Sequence, residues 1–250
     1  MRLCLTLIAL LAVILAAGTS SRLYPLTADI PKALLDVAGR TILDRMLDGL
    51  ADAQISRVVV VTGYRGNRIT AHLTETPRRI PVETVENAAF ATTNNAASLL
   101  VARKATRGDA FVLCDGDVVF SANPFPSLVA ARDDSAIVVD RRAVLDEEAM
   151  KVVVDGGQRI TRLSKQLDAR TAAGESIGIQ KIGGAALAAI WTVLDEVVGS
   201  RAASAYYEDA FQVLIDRGVP FGVTSIMAGT WREVDDATDL EAARALLTQG

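Results

Sequence analysis

LAAGTSSRLYPLTADIPK, running from Leu15 to Lys32, follows the apolar residues Ala12-Val13-Ile14 and precedes an amphipathic segment that begins at Thr41. The order is strand, glycine loop, helix. The loop residues Leu15, Ala16, Ala17, Gly18, Thr19 and Ser20, all but the first of them small, let backbone N–H groups close on an anion, as nucleotide phosphates require. Arg22 and Lys32 are its two cations, and Pro25 and Pro31 stiffen the chain around them. Neither G-x-x-x-x-G-K-(S/T) nor G-x-G-x-x-G occurs here, which argues against P-loop kinases and Rossmann dehydrogenases. Turn formation alone would explain the glycine and the prolines but leaves the arginine and lysine unaccounted for.

The 250 residues suit one large α/β domain, read as residues 12–250 behind an apolar extension at 1–11. Half of the residues are hydrophobic, enough for a sheet buried on both faces. A net charge of −4 without a basic block excludes nucleic acid as an expected partner. Cys4 and Cys114 lack metal-ligand spacing and suggest no disulfide framework. Cys114 lies in the apolar run Phe111–Cys114 and reads as a small buried hydrophobe.

Met1–Ala17 carries one arginine, an unbroken apolar run and then small residues, the pattern of a secretory signal peptide. Cleavage near Ala17 would remove the first strand and leave the loop without its anchor. A cytoplasmic protein is therefore expected, with Met1–Leu11 an extension or the product of an upstream start codon. The run is too short for a comfortable membrane span, so no stable insertion is expected and only weak membrane association stays open.

Strands and helices alternate through the first half. Thr41–Gln54, Tyr64–Thr74 and Ala96–Lys104 read as helices, and Ala12–Leu15, Arg57–Thr62, Val82–Glu86, Phe111–Cys114 and Ala136–Asp140 as strands. Such βα units imply a mostly parallel sheet with helices on both faces. Lys151–Asp155, Arg159–Ser164 and Ser176–Ile182 then read as strands joined by glycine turns, a small antiparallel section. Helices at Ala185–Val198, Tyr206–Arg217 and Ala237–Leu247 and strands at Val219–Ile226 and Thr230–Val234 complete the chain. Ligands of open α/β sheets bind beyond the carboxyl ends of the strands, where the loop after Leu15 and the turns after Cys114 and Val234 should converge.

A reaction between two phosphate-bearing anions needs cations and a divalent metal rather than a protein nucleophile. Arg22 and Lys32 can supply such cations at the loop. Asp117 and Asp235 end two strands and offer the hard oxygen ligands that suit Mg²⁺, with Asp115 and Asp236 as spare carboxylates behind them. Thr92–Ser98 (TTNNAAS) opens a helix, where capping would account for one asparagine but not for two. On the acceptor side, Lys151 and Lys165 fall on strand-like segments where a lysine is ordinarily solvated. Glu175 and the cluster Tyr206–Asp209 (YYED), with Tyr207 as its chosen aromatic, could hold a cationic amine, although an aromatic pair on a helix is more often core. His72 is the single histidine and receives no role.

The loop closely resembles the signature L-A-A-G-x-(G/S)-x-R-L-x-P-x-T followed by P-K of nucleotidyltransferases that build activated sugars and alcohols. The resemblance spans nearly all of the chain after Leu11 and is strongest over Ala12–Ile69, including V-T-G-Y-R at Val61–Arg65. It implies a Rossmann-like three-layer α/β fold of the nucleotide-diphospho-sugar transferase type. Asp117 matches the family's G-D aspartate and Asp235 that of a late W-x-x-(I/V)-D motif. Lys165 falls where sugar-nucleotide enzymes carry an E-K-P lysine. Asn94, Asn95 and Ser98 match an N-N-x-x-S element that lines the base pocket of cytidylyl-transferring members, so CTP is the expected donor. The later elements, G-E-x-I-G and W-R-E-V-D among them, look most like phosphocholine and 2-aminoethylphosphonate cytidylyltransferases. Inositol-phosphate enzymes are also close. One departure is Ser20, where many members carry a second glycine.

The expected activity is Mg²⁺-dependent transfer from an NTP to a small phosphorylated or phosphonylated alcohol, with pyrophosphate released. The alternatives are a sugar-1-phosphate or inositol-1-phosphate nucleotidyltransferase and, in another class, a nucleotide-binding regulatory protein without turnover. No hexapeptide repeat follows, so a fused acetyltransferase of the left-handed helix type is not expected, and a homo-oligomer stays open.

Overall fold

The computed structural model describes residues 10–201 and 204–248; most of the apolar extension, with Cys4, lies outside the described residues. β1 (Leu11–Ala16) is buried along its whole length. Leu11, Val13 and Leu15 enter the core on one face of the sheet, and Ala12, Ile14 and Ala16 the core on the other. Alternation sends successive side chains to opposite faces, so an all-apolar strand must be covered on both. Burying each larger aliphatic side chain of this kind contributes roughly 1.5–3 kcal/mol.

After the glycine loop, β2 (Asp36–Val37) and β3 (Arg40–Thr41) make a small hairpin that leads into α1 (Ile42–Asp52). Thr41 caps α1 by accepting the Asp44 N–H at 3.0 Å. Then come β4 (Val58–Thr62), α2 (Gly66–Glu75), β5 (Val82–Glu86), α3 (Asn95–Val101), α4 (Arg103–Thr106) and β6 (Phe111–Asp115). β1 pairs in parallel with β4 and β6, and β4 with β5.

The second half opens with β7 (Val118–Phe120), α5 (Phe125–Val129) and β8 (Ala136–Asp140). β9 (Lys151–Val154), β10 (Ile160–Ser164) and β11 (Gly174–Ile182) form the antiparallel section expected from the glycine turns. β11 also runs antiparallel to β6 and β8 and joins this section to the parallel half. α6 (Gly184–Arg201), α7 (Tyr207–Asp216), β12 (Gly222–Ser225), β13 (Trp231–Glu233) and α8 (Ala237–Thr248) complete the described fold. α3, α6 and α7 cover one face of the sheet and α1, α2 and α5 the other, the three-layer α/β arrangement that the alternation implies. α8 packs Leu240 and Ala243 on a third, smaller cluster with Leu23, Val119 and Val234, which ties the loop to the later strands.

Three details differ from the sequence reading. β7 and α5 are too short to show a period, so neither was expected. The strand expected over Val219–Ile226 is confined to Gly222–Ser225, because Gly218 turns at φ 83° and Pro220 has no N–H to give a ladder. Ala96–Lys104 divides at Ala102 into two helices. Cys114 is fully buried in β6, as expected.

Candidate active site

The glycine loop leaves the carboxyl end of β1. Leu15, Ala16 and Ala17 are still buried, while Gly18 and Thr19 are exposed. A Cβ built on Gly18 meets nothing within 4 Å, so the backbone there borders open space. Ser20 adopts φ 52°, a left-handed conformation that glycine takes without strain, which explains the glycine in related loops. Single 3-10 turns at Ser21–Leu23 and Lys32–Leu34 then carry Arg22 and Lys32 back over the loop. Gly18, Ser20, Arg22, Lys32, Asn94, Asp117 and Asp235 line a cavity of about 350 Å³.

Two acidic stretches meet the cations because β7 and β13 pair antiparallel, with Val118 opposite Glu233. The Val234 N–H donates to the Asp117 carbonyl at 3.0 Å and locks the D-G-D turn to the W-R-E-V-D stretch. Gly116 makes that turn fit. Its N–H donates to the Leu15 carbonyl at 2.9 Å, and a Cβ there would stand 2.5 Å from the same oxygen. Lys32 Nζ sits 2.7 Å from Asp117 Oδ2 and 2.8 Å from Asp235 Oδ1, and Arg22 pairs with Asp235 Oδ2 at 2.7 Å. Burial alone would lower the Lys32 pKa, but Asp117 and Asp235 outweigh it and hold the ammonium above its usual range. Burial likewise opposes ionisation of Asp235, yet Lys32 and Arg22 bring its pKa below the ordinary carboxylate value.

Carboxylate oxygens of Asp117, Glu233 and Asp235 all lie within 4.8 Å of one another. Burial first, then Asp117 and Asp235, push the Glu233 carboxyl up to about 8. Asp117 Oδ1 is buried without a hydrogen-bond partner. An orphaned carboxylate oxygen among three acids fits a hard divalent cation such as Mg²⁺. Glu233 was missed in the sequence, although it lies two residues before Asp235, the spacing at which strand residues share a face. Asp236 is turned elsewhere: its carboxylate accepts the Thr238 and Asp239 N–H groups at 2.7 and 2.9 Å and opens α8.

Asn94 is the N-cap of α3: its Oδ1 accepts the Asn95 N–H at 2.8 Å, and the residue also borders the cavity beside the glycine loop. Asn95, Ser98 and Phe90 continue the wall into an adjoining cavity of about 230 Å³ that also touches Ala17 and Gly18. Ser98 Oγ accepts from Asn87 Nδ2 at 3.1 Å, and Asn95 Oδ1 accepts the Tyr207 N–H at 2.9 Å. Phe90 gave no sequence signal, since an isolated aromatic carries no motif.

A third cavity, of about 90 Å³, shares Asn95, Asp115 and Glu233 with the second. Lys165 and Glu175, both named on the acceptor side, line it. Lys165 Nζ pairs with Glu148 at 3.1 Å and faces the Tyr206 ring at 5.6 Å from its centroid. Burial, with Asp146 and Asp140 nearby, pushes the Glu175 carboxyl up to about 7. Lys151 and Tyr207 are not on this wall. Lys151 is 4% exposed, and its ammonium donates to the Lys165 and Ala149 carbonyls at 2.7 and 3.3 Å, tethering the neighbouring strand. Tyr207 is fully buried and donates its hydroxyl to Asp115 Oδ2 at 2.8 Å. The adjacent Tyr206, the extended N-cap of α7, supplies the cavity's aromatic instead. Burial, with Glu208 and Asp117 close by, raises the Asp115 carboxyl well above its usual range. Across from it β11 slips register between Ser176 and Gln180, where Gly178 turns at φ 72° and a Cβ would collide with the Asp115 carboxylate.

The chain is similar to known proteins in sequence and in fold. A protein from Streptomyces rubellomurinus named CMP-5'-(3-aminopropyl)phosphonate synthase is 37% identical over 130 residues, 52% of this chain and 20% of that protein. The UTP–glucose-1-phosphate uridylyltransferase AglF of Haloferax volcanii is 34% identical over 125 residues, 50% of each chain. The chain thus spans half the length of these curated relatives, or less. In fold it is similar to the CTP:phosphocholine cytidylyltransferase of Streptococcus pneumoniae, with a TM-score of 0.79 at 20% identity over 96% of this chain and 100% of that one. The family model of the MobA-like NTP transferase domain matches residues 12–211, from the strand that anchors the glycine loop into the first half of α7, and the chain belongs to that family.

Proposed function

We propose that the chain transfers a cytidylyl group from CTP to a small phosphorylated or phosphonylated alcohol, such as 2-aminoethylphosphonate or phosphocholine, and releases pyrophosphate. The observation that carries this reading is the junction of Lys32 and Arg22 with Asp117 and Asp235 at the phosphate loop. An acceptor oxygen attacks the α-phosphorus, and the bond from that phosphorus to the pyrophosphate oxygen breaks on the opposite side. No protein nucleophile is needed. The loop amides around Gly18 wrap the triphosphate, Arg22 meets the leaving pyrophosphate, and Lys32 holds the α-phosphate and the incoming oxygen. Asp117, Asp235 and Glu233 would hold Mg²⁺, which supplies charge neutralisation for the phosphate oxygens when bound. Asn94, Asn95 and Ser98 read the base from the neighbouring cavity, and the cytidylyl chemistry in the relative's name supports CTP as the donor.

The sugar-phosphate reading has the Haloferax relative in its favour. The acceptor cavity weighs against it, because its wall is rich in carboxylates rather than neutral groups suited to sugar hydroxyls. We also place the protein in the cytoplasm. β1 is a central strand of the sheet, and cleavage after Ala17 would remove it. No helix among the described residues is long and apolar enough to cross a membrane.

Pyrophosphate release, measured with Mg²⁺ across four NTPs and a panel of phosphorylated and phosphonylated acceptors, tests the reading. A signal with CTP and an alcohol phosphate or phosphonate is expected. A signal confined to UTP, TTP or GTP with a sugar phosphate would overturn it.

A further inference from the structure

Acid crowds the 90 Å³ cavity beyond anything phosphate chemistry asks for. Asp115, Glu148, Glu175, Glu208 and Glu233 line it against one cation, Lys165, which is already paired with Glu148. Such a wall of carboxyl groups suits an acceptor that carries a positive group besides its phosphate or phosphonate. Glu208 adds an independent sign. It is 7% exposed, it lines the cavity, and its Oε2 is buried without a hydrogen-bond partner. A buried carboxylate oxygen left unpaired is costly and is ordinarily satisfied by a ligand or an ion.

Which cation fits follows from what the wall lacks. Quaternary ammonium groups carry no N–H and are held by aromatic faces. Tyr206 is the one aromatic on this wall, and Lys165 already faces its ring. A primary ammonium carries three N–H donors and matches a cluster of carboxylate acceptors. The cavity also borders the one holding Asn94, Asn95 and Ser98, so an acceptor bound there by its amine extends its anionic end toward the phosphate loop.

We infer that this cavity holds the acceptor by a protonated primary amine donated to Glu208 and its neighbouring carboxylates, and discriminates against the trimethylated amine. The substrate class is an aminoalkyl phosphonate or phosphate. This inference rests on the transfer reading above for the word acceptor, but the site can be tested by binding alone.

The test is calorimetric binding to the full chain with Mg²⁺, with and without a non-hydrolysable CTP analogue. The probes are 2-aminoethylphosphonate, its N,N,N-trimethyl derivative, neutral 2-hydroxyethylphosphonate and phosphoethanolamine. The primary amines should bind at least about tenfold more tightly than the trimethylated and neutral compounds. Glu208→Gln should erase that preference while melting no lower than the wild type. Equal or tighter binding of the trimethylated or the neutral compound to the wild-type protein would overturn the inference, as would no binding of the amines. Comparing phosphoethanolamine with 2-aminoethylphosphonate separates phosphate from phosphonate sources. Selective amine binding with no nucleotide transfer from any NTP would keep the site and sink the transfer reading instead.

Discussion

The Lys32 ammonium stands 2.7 Å from Asp117 Oδ2, inside the acidic cluster that would receive a divalent ion. The lysine therefore compensates the acids internally. Under the proposed function it exchanges these partners for a phosphate. Lys32→Ala should lower nucleotidyl transfer by about a hundredfold or more, since it removes a cation aimed at developing phosphate charge. In the nucleotide-free protein the same variant should bind Mn²⁺ more tightly, as followed by electron paramagnetic resonance. Near-normal turnover in a folded variant would refute the assigned role.

Gly18 offers the converse case, a residue to which the proposed function gives a ligand and of which the fold asks little. Nothing lies within 4 Å of a Cβ built there. Gly18→Ala should leave the melting temperature nearly unchanged and weaken nucleotide binding by about tenfold, through a methyl group pushed toward the phosphates. A calorimetric titration with CTP beside a thermal melt checks both halves.

Glu208 sets a pH dependence of known sign. Burial pushes its carboxyl up to about 7 from an ordinary 4.5, so the folded chain keeps a proton that the unfolded chain releases between those values. The contribution of this group to stability then falls as pH rises from about 4.5 to 7 and stays low above that. Glu208→Gln should stabilise the protein at pH 8 by at most about 3 kcal/mol, with the gain vanishing toward pH 4.5. Urea unfolding at pH 5 and pH 8 measures it, and an equal effect at both values would contradict the assignment.

Trp231 carries a structural prediction. Its indole N–H donates to Asp140 Oδ2 at 2.9 Å in the interior, joining β13 to β8. Trp231→Phe leaves that buried carboxylate oxygen short of a donor and should cost about 1–3 kcal/mol in urea unfolding. Transfer should fall as well, because β13 carries Glu233.

Much of this architecture was legible because apolar runs and glycine turns are local signals. The buried strand at Arg57–Thr62 and the loop from Leu15 to Lys32 needed no knowledge of distant residues. Convergence of that loop with Asp117 and Asp235 followed from where strand ends lie in an open sheet, and the three meet in one cavity. The acceptor wall was harder to read. Lys151 and Lys165 sit on similar strand-like segments, and only packing shows that one ammonium is tied to carbonyls while the other faces a cavity. Tyr206 and Tyr207 differ by one position at a helix start, enough to send one ring to the cavity and the other to the core. Glu233 escaped notice because its strand was read without a partner: β7 forms no recognisable period, so the pairing that sets Glu233 opposite Val118 left no local signal.

Asp115 divides two kinds of wall. Behind it stand β1 and β6, buried parallel strands whose neighbours leave no latitude for substitution, and Gly178 opposite is pinned by the same carboxylate. Beyond it, Glu148, Lys165, Glu175 and Tyr206 come from loops, strand ends and the mouth of a helix. Substitutions on that rim would therefore reshape the third cavity while leaving undisturbed the strand from which the glycine loop springs.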